Sequence, residues 1–398
     1  MLGAWLALLP LSPAHAMTLE ERRQLDLNDY RVNDPDAGFF DVGKRMTLLS
    51  QTRDPILIQQ ADQVRLGPSC RQYLATPPLA ERIRLPAYYP DHNAWRLAAE
   101  PLFRFEDSVS MLAGSFTVTA DPYYADCLVS MLDQWARADA LYDFYYNARN
   151  RQAWYGIESM LFAAGLSYSI VRPYVQHRPE ALSRIDHWLN RVARHHMAIP
   201  GEQASCCNNH FYRRALYASI IGVLTKDDEL FRFGVSAIYS ALHDLTTEGA
   251  LPLEIARGRR ASHYQNYALL YLITNMQIIS RQGYPIFDLV VDGHHIGDAV
   301  DFAMDVIDDP SALGELAPHE QYLGFLEDPQ YFAWMEIYQN HVHSPRIDAF
   351  LDGRRPIYNR SNGGYVSLYF MQPSSAPFRQ QQRQARRHPP ASSAEVSS

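Results

Sequence analysis

Two short stretches carry the side chains best suited to polar chemistry. The first, Cys206-Cys207-Asn208-Asn209-His210-Phe211-Tyr212, lies just ahead of an amphipathic run. An Asn and a His at a helix start present an amide, an imidazole and free backbone N–H donors to whatever sits in front of that helix. Asn208 or Asn209 would also serve as a plain N-cap with His210 on the surface, because Asn is a preferred capping residue. The second stretch, Leu251 to Leu269, reads LPLEIARGRRASHYQNYAL. It places Arg257, Arg259 and Arg260 before a helix bearing Tyr264 and Tyr267, so a cationic fork and a phenol stand within one or two turns of each other. The bland alternative is a solvated Arg-rich loop leading into a helix whose tyrosines pack in the core.

The elements that must position these groups are helices. From about Trp95 to Tyr338 apolar residues recur at three-to-four spacing in segments separated by short polar or Pro/Gly breaks. The segments are Asp126 to Leu141, Gln152 to Ile170, Pro179 to Ala198, Asn209 to Leu224, Asp228 to Leu245, Ser262 to Ser280 and Gly297 to Ile307. Strand-like alternation is confined to short C-terminal pieces such as Gly364 to Tyr369. An all-α domain of antiparallel helix pairs follows, as a bundle-like solenoid or a closed α/α toroid. The absence of a fixed-period repeat disfavours an open solenoid.

With 47% hydrophobic and 20% charged residues the chain can bury a sizeable core. A net charge of −8 offers no global attraction to nucleic acid, so any anionic partner must be held by local clusters such as Arg213-Arg214 and Arg257, Arg259 and Arg260. Met1 to Ala16 reads MLGAWLALLPLSPAHA and ends in the small-x-small pattern Ala14-His15-Ala16, which predicts a signal peptide cut after Ala16, although its start lacks the usual positive charge. A periplasmic or secreted protein is expected, with no other run able to span a bilayer. Export permits disulfides among the four cysteines, and the connectivity that satisfies the adjacent pair locally is Cys206–Cys207 with Cys70–Cys127. The stretch from Pro373 to Ser398, rich in Pro, Ser, Gln and Arg, is expected to be disordered, leaving 17–372 as the folded domain. Aromatic residues make up 12% of the chain, and Trp135, Trp154, Tyr145, Tyr146 and Trp334 are candidates to line a sugar groove. The pairs His195-His196, His294-His295 and His341/His343 lack carboxylate partners at metal-ligand spacing, and no metal or cofactor is expected.

Together the two polar stretches resemble the alginate lyase family, whose members fold as an α/α toroid and degrade poly-mannuronate. The family pattern is an Asn-Asn-His helix start, then LP-x-E-x-x-R, a few residues, and Y-x-x-Y-A-L. This sequence supplies Asn209, His210, Arg257 and Tyr264 at those places. A cysteine pair before Asn-Asn-His also occurs in some members. Gly38 to Arg45 (GFFDVGKR), Asp126 to Leu141, Tyr331 to Tyr338 (YFAWMEIY) and Asn359 to Gly364 (NRSNGG) are similar to further family segments, so the likeness runs from about residue 38 to 370. The fold it implies is an incomplete α/α toroid. Members carry an N-terminal lid with a basic residue and a tyrosine, and the matching stretch, Pro86 to Arg96, offers Tyr88, Tyr89 and Arg96 but no lysine. At Arg213 and Arg214 members more often have an aromatic or small residue.

The implied activity is β-elimination in a uronic-acid polymer, first of all mannuronate-rich alginate, by a monomer. Removing the C5 proton requires the adjacent carboxylate to be neutralised and the enolate-like charge to be stabilised, which suits Asn209 and Arg257. Tyr264 is the candidate for protonating the leaving O4, and, since C5–H and O4 of mannuronate share a face, for taking the C5 proton as well. His210 is either that base or the group that orients it, since histidine titrates near neutrality. The neighbouring arginines are expected to lower the tyrosine's pKa. Trp154, Arg260 and Tyr267 complete the expected sugar contacts. Three competing readings remain, the first two being a lyase on glucuronate polymers and an α/α-toroid glycoside hydrolase using a carboxylate pair among Asp133, Glu158 and Glu254. A non-enzymatic periplasmic polysaccharide-binding protein is the third.

Overall fold

Sixteen α-helices form among the described residues, which in this computed structural model are 16–65, 69–145, 151–198 and 208–373, and β pairing there is limited to isolated bridges. Short helices α1 (Leu19–Arg23), α2 (Val42–Gln51), α3 (Pro55–Arg65) and α4 (Cys70–Leu74) lead in. Four long pairs follow: α5 (His92–Thr119) with α6 (Pro122–Arg137), α7 (Gln152–Val171) with α8 (Pro179–Met197), and α9 (Asn209–Thr225) with α10 (Asp228–Asp244). After the single turn α11 (Pro252–Ile255), α12 (Ala261–Arg281) pairs with α13 (Ile296–Asp308). Helices α14 (Ala333–Tyr338), α15 (Pro345–Leu351) and α16 (Val366–Phe370) end the fold.

The sequences of these helices dictate two layers. Residues 211–224 of α9 and 268–279 of α12 are buried on every face, which only an inner position satisfies. Helix α8 instead buries Ala181, Leu182, Ile185, Trp188, Leu189, Val192 and Ala193, a single stripe, and α6, α10 and α13 are built the same way. Accordingly α5, α7, α9 and α12 pack side by side, while α6, α8 and α10 lie against their outer faces. Contacts from α12 through α14, α16 and α3 back to α5 close the ring with short elements. The architecture is therefore the expected all-α toroid, incomplete in that only four full pairs build it.

Tight corners set the pairing. Ala120 and Lys226 both end inner helices in the left-handed conformation, and Asp121 and Asp227 each cap the outer helix that follows. A two-residue connection turns the chain straight back, and Gly234 makes the α9–α10 approach possible: a Cβ there would lie 1.8 Å from Ser219 Oγ.

Several motif segments prove structural. Arg45 of GFFDVGKR is buried and donates to the carbonyls of Met371 at 2.8 Å and Ser367 at 3.2 Å, closing the C-terminal end of α16. Glu336 of YFAWMEIY receives Arg355 at 2.9 and 2.8 Å, and Trp334 donates to Asn266 Oδ1 at 2.9 Å. Cys70 and Cys127 form the expected disulfide, fastening α4 to α6 with Cα atoms 5.7 Å apart. The strand expected at Gly364 to Tyr369 is instead the helix α16, because its apolar residues are buried all round against α14 and α3 rather than alternating between two faces. Cys206 and Cys207, residues 1–15 of the signal segment and 374–398 of the tail lie outside the described residues. No helix of the described residues is long and apolar enough to cross a membrane.

Candidate active site

Because each inner helix is followed by an outer one that returns the chain, the inner helices run in the same direction. Gly165 of α7 packs on Ile220 of α9, and ten residues earlier in each, Tyr155 stacks on His210. The N-terminal ends of α7, α9 and α12, together with the segment leading into α5, thus share one rim. Free N–H groups and the positive ends of helix dipoles point out of it, which favours an anionic ligand.

On that rim the two Asn side chains divide the work that the sequence left open. Asn208 is the N-cap, its Oδ1 accepting from the His210 N–H at 3.1 Å. Asn209 is fully buried and is gripped by Glu254 of α11: its backbone N–H donates to Oε1, and its Nδ2 donates to Oε2 at 2.8 Å and Oε1 at 3.1 Å. Burial lifts the Glu254 carboxyl to about 7, against the pull of the two Asn209 hydrogen bonds and Arg257.

His210 lies flat on Tyr155, ring centroids 4.1 Å apart. Burial first, then Arg213 and Arg257, hold its pKa well below the ordinary value, so the expectation of a histidine titrating near neutrality is corrected: the imidazole is neutral. Its Nδ1 is buried without a hydrogen-bond partner among the described residues.

Gly258, at φ +57°, turns the chain after Arg257, and the guanidinium comes to rest 4.6 Å from the Tyr264 ring. The Tyr264 hydroxyl lies 2.9 Å from that of Tyr89. Here a second correction follows. The Tyr264 phenol is pushed up rather than down, by burial first and by the Tyr89 hydrogen bond next, and Arg257 offsets only part of this. Tyr267 meets Tyr264 edge-on at 6.3 Å and backs it with Tyr271 at 5.0 Å.

The 86–91 segment folds over this group as a lid. Tyr88 packs edge-on against Tyr89 at 5.2 Å and Trp95 at 4.8 Å, while Arg260 donates to the Tyr89 hydroxyl at 3.4 Å and faces the rings of Tyr89 and Tyr322. Arg96 is exposed on α5, and among the described residues the lid is tied to the cluster through Tyr89 instead.

Other expected contacts are moved elsewhere. Trp154 is fully buried behind the rim, stacked on Tyr155 and faced by Arg214, and packs in the core rather than lining a groove. Trp135 and Trp334 are core residues, Tyr145 stands exposed beside Arg84, and Tyr146 lies outside the described residues. Arg213 and Arg214 are buried, not a surface cluster: Arg213 donates to the Tyr155 carbonyl at 2.8 Å and lies 3.4 Å from Glu158. The residues that sequence reasoning did not assign to this site are Tyr155, Tyr322 and, as a holder of Asn209, Glu254. Only the adjacency of Glu254 to Arg257 in the LP-x-E-x-x-R stretch pointed that way.

The carboxylates of a hydrolase are not arranged around an open cleft. Asp133 is bound by Arg184 at 2.7 Å and Arg137 at 3.0 Å between α6 and α8, and Glu158 and Glu254 are both fully buried. The histidine pairs serve packing: His196 bonds Tyr217 at 2.9 Å, His295 caps α13, and His341 bonds Gln277 at 2.6 Å. No group of three potential metal ligands occurs among the described residues.

The arrangement can neutralise a carboxylate with an oriented amide and a guanidinium, and can exchange a proton beside it through a phenol. Known proteins show the same frame. The family model described as alginate lyase matches residues 61–313. A polysaccharide lyase of Stenotrophomonas maltophilia is 30% identical over 307 residues, 74% of this chain and 89% of that protein. The crystal structure of alginate lyase A1-III from Sphingomonas species A1 superposes with a TM-score of 0.77 at 28% identity, covering 88% of this chain and 100% of that one. A tyrosine-to-phenylalanine variant of alginate lyase A1-III complexed with tetrasaccharide superposes with a TM-score of 0.79 at 30% identity, with 88% and 100% coverage.

Proposed function

The chain belongs to the alginate lyase family, and from that premise we propose that it cleaves mannuronate-rich alginate by β-elimination, leaving 4,5-unsaturated uronate ends. The catalytic unit is residues 17–372, acting as an exported monomer. The observation that carries the reading is the meeting, on one rim, of the Tyr264 hydroxyl, the Arg257 guanidinium and the amide of Asn209.

In this scheme the second N–H of Asn209 and the Arg257 fork bind the C6 carboxylate. They draw off its charge, so that the C5 proton becomes acidic enough to leave. Tyr264, protonated in the resting protein, gives its proton to O4 and receives the C5 proton. The C5–H and C4–O4 bonds break, C4=C5 and O4–H form, and the phenol ends as it began. A raised pKa therefore suits this residue, because no standing phenolate is needed. The syn geometry of mannuronate lets one group reach both atoms. Neutral His210, fixed on Tyr155, orients the uronate as a hydrogen-bonding partner without adding charge, and Tyr88, Tyr89, Arg260 and Tyr267 hold the polymer.

The test is ultraviolet absorbance of unsaturated product on poly-mannuronate, poly-guluronate, poly-glucuronate and hyaluronan. Poly-mannuronate should be the fastest. Tyr264→Phe, with its fold verified by circular dichroism, should lose roughly three orders of magnitude in turnover while still binding polymer. A variant keeping a tenth of the rate would refute the role of the phenol. A His210→Ala loss as deep as that of Tyr264→Phe would transfer the base function to His210.

A further inference from the structure

Helix α1 is capped by Thr18 through a reciprocal capping box with Glu21, and it lies against the start of α9. Its Arg22 is buried and stacks 3.4 Å over the ring of Phe211, the residue after His210. Just before it, Met17 is 6% exposed, and its backbone nitrogen donates at 2.6 Å to Oδ1 of Asp244, a carboxylate 2% exposed at the end of α10. The other oxygen, Asp244 Oδ2, is buried with no hydrogen-bond partner among the described residues. One amide N–H is a poor match for a buried carboxylate, since burying an ionised group without adequate partners is costly. A nitrogen at the same place with three N–H bonds and a positive charge would satisfy both oxygens.

The sequence supplies the means. Ala14-His15-Ala16 is a small-x-small cleavage pattern whose cut would fall on the bond to Met17. We propose that hydrolysis of the Ala16–Met17 bond creates the buried partner of Asp244. Water gives its hydroxyl to the Ala16 carbonyl carbon and a proton to the Met17 nitrogen as the C–N bond breaks; the new Ala16 carboxyl then releases its proton to solvent, the amine takes one up, and the resulting α-ammonium pairs with the Asp244 carboxylate. Burial of Met17 means that the leader peptidase must act before this segment docks.

The ion pair also bears on the site. The buried Tyr212 phenol stands in the electrostatic field of Asp244, Arg22 and Glu254, and Glu254 grips Asn209. Removal of the leader thus finishes the support behind the residues on which the chemistry depends, and its record is a charge that the precursor does not possess.

Three wild-type chains test this: one released by a site-specific protease so that Met17 comes first with a free amine, one carrying a two-residue Gly-Ser extension, and one acetylated on the Met17 nitrogen. The free-amine form should unfold higher than both others, by on the order of 3 °C or more. In Asp244→Asn versions the three midpoints should coincide. Equal midpoints in the wild-type series, or a gap that survives Asp244→Asn, would overturn the ion pair. Mass spectrometry of the exported protein should place its first residue at Met17, and a different first residue would overturn the processing site. Neither readout depends on lyase activity, so the two proposals fail separately.

Discussion

The replacement of Glu254 by glutamine probes how the site is held in shape rather than how it reacts. Glu254 receives two donors from one residue, the backbone N–H and the Nδ2 of Asn209. Glutamine keeps the volume but offers a single carbonyl oxygen, so one of the two donors either faces an NH2 group or must turn away. The loss is one hydrogen bond to a charged acceptor, about 1.5–3 kcal/mol. If Asn209 must be oriented to bind the C6 carboxylate in the transition state, kcat/KM on poly-mannuronate falls roughly 10- to 150-fold. Burial raises Glu254 to about 7, so the wild-type carboxyl is largely neutral at pH 6 and ionised at pH 8. The deficit should therefore be larger at pH 8. Initial rates of unsaturated-product formation at both pH values, in wild-type and Asn209→Ala backgrounds, decide the matter. Wild-type activity of Glu254→Gln at pH 8, or an equal cost when Asn209 is already alanine, would refute the role of Glu254 in orienting Asn209.

Arg257→Ala removes the guanidinium beside Tyr264 and should weaken polymer binding as well as turnover, by roughly 3 kcal/mol in kcat/KM; a change confined to kcat would place Arg257 off the carboxylate. Glu106, buried in α5 with one oxygen unpartnered among the described residues, is lifted by burial to about 7. A carboxyl raised in the folded state contributes stability that is present below its unfolded pKa of about 4.5 and lost as pH rises to about 7. Glu106→Gln should thus gain on wild type by up to ~3 kcal/mol across that window and hold the gap above it, as followed by urea unfolding at pH 5, 6, 7 and 8.

Periodicity locates the long helices from α6 to α13, and the starts at Gln152, Pro179, Asn209 and Asp228 coincide with those observed, because Pro and Asp at helix beginnings act locally; α5, the longest, is covered only by the general helical pattern from about Trp95 and receives no bounds. The short helices before residue 92 carry too few turns to show a period and went unnoticed. Residue type does not say which layer an aromatic belongs to: Trp154 reads as a groove residue yet packs in the core, whereas its neighbour Tyr155 reaches the rim. The tyrosine pKa was misjudged for a related reason. The arginines near Tyr264 are visible in the chain, whereas its burial and its bond to Tyr89, 175 residues away, are products of folding. Glu254 and Asn209, 45 residues apart, meet only through the packing of α11 against α9 and α12.

The common direction of the inner helices gives the ring two unlike ends. One rim collects amide donors and arginines; the opposite rim collects the carbonyl ends of the same helices, which repel anions. A polyanion approaching a protein whose net charge is −8 thus gains no overall attraction, and the amide donors and arginines of one rim are what it has to meet. Salt screens the pull of that rim, so the rate of polymer capture, more than the rate of bond cleavage, is where ionic strength should be felt.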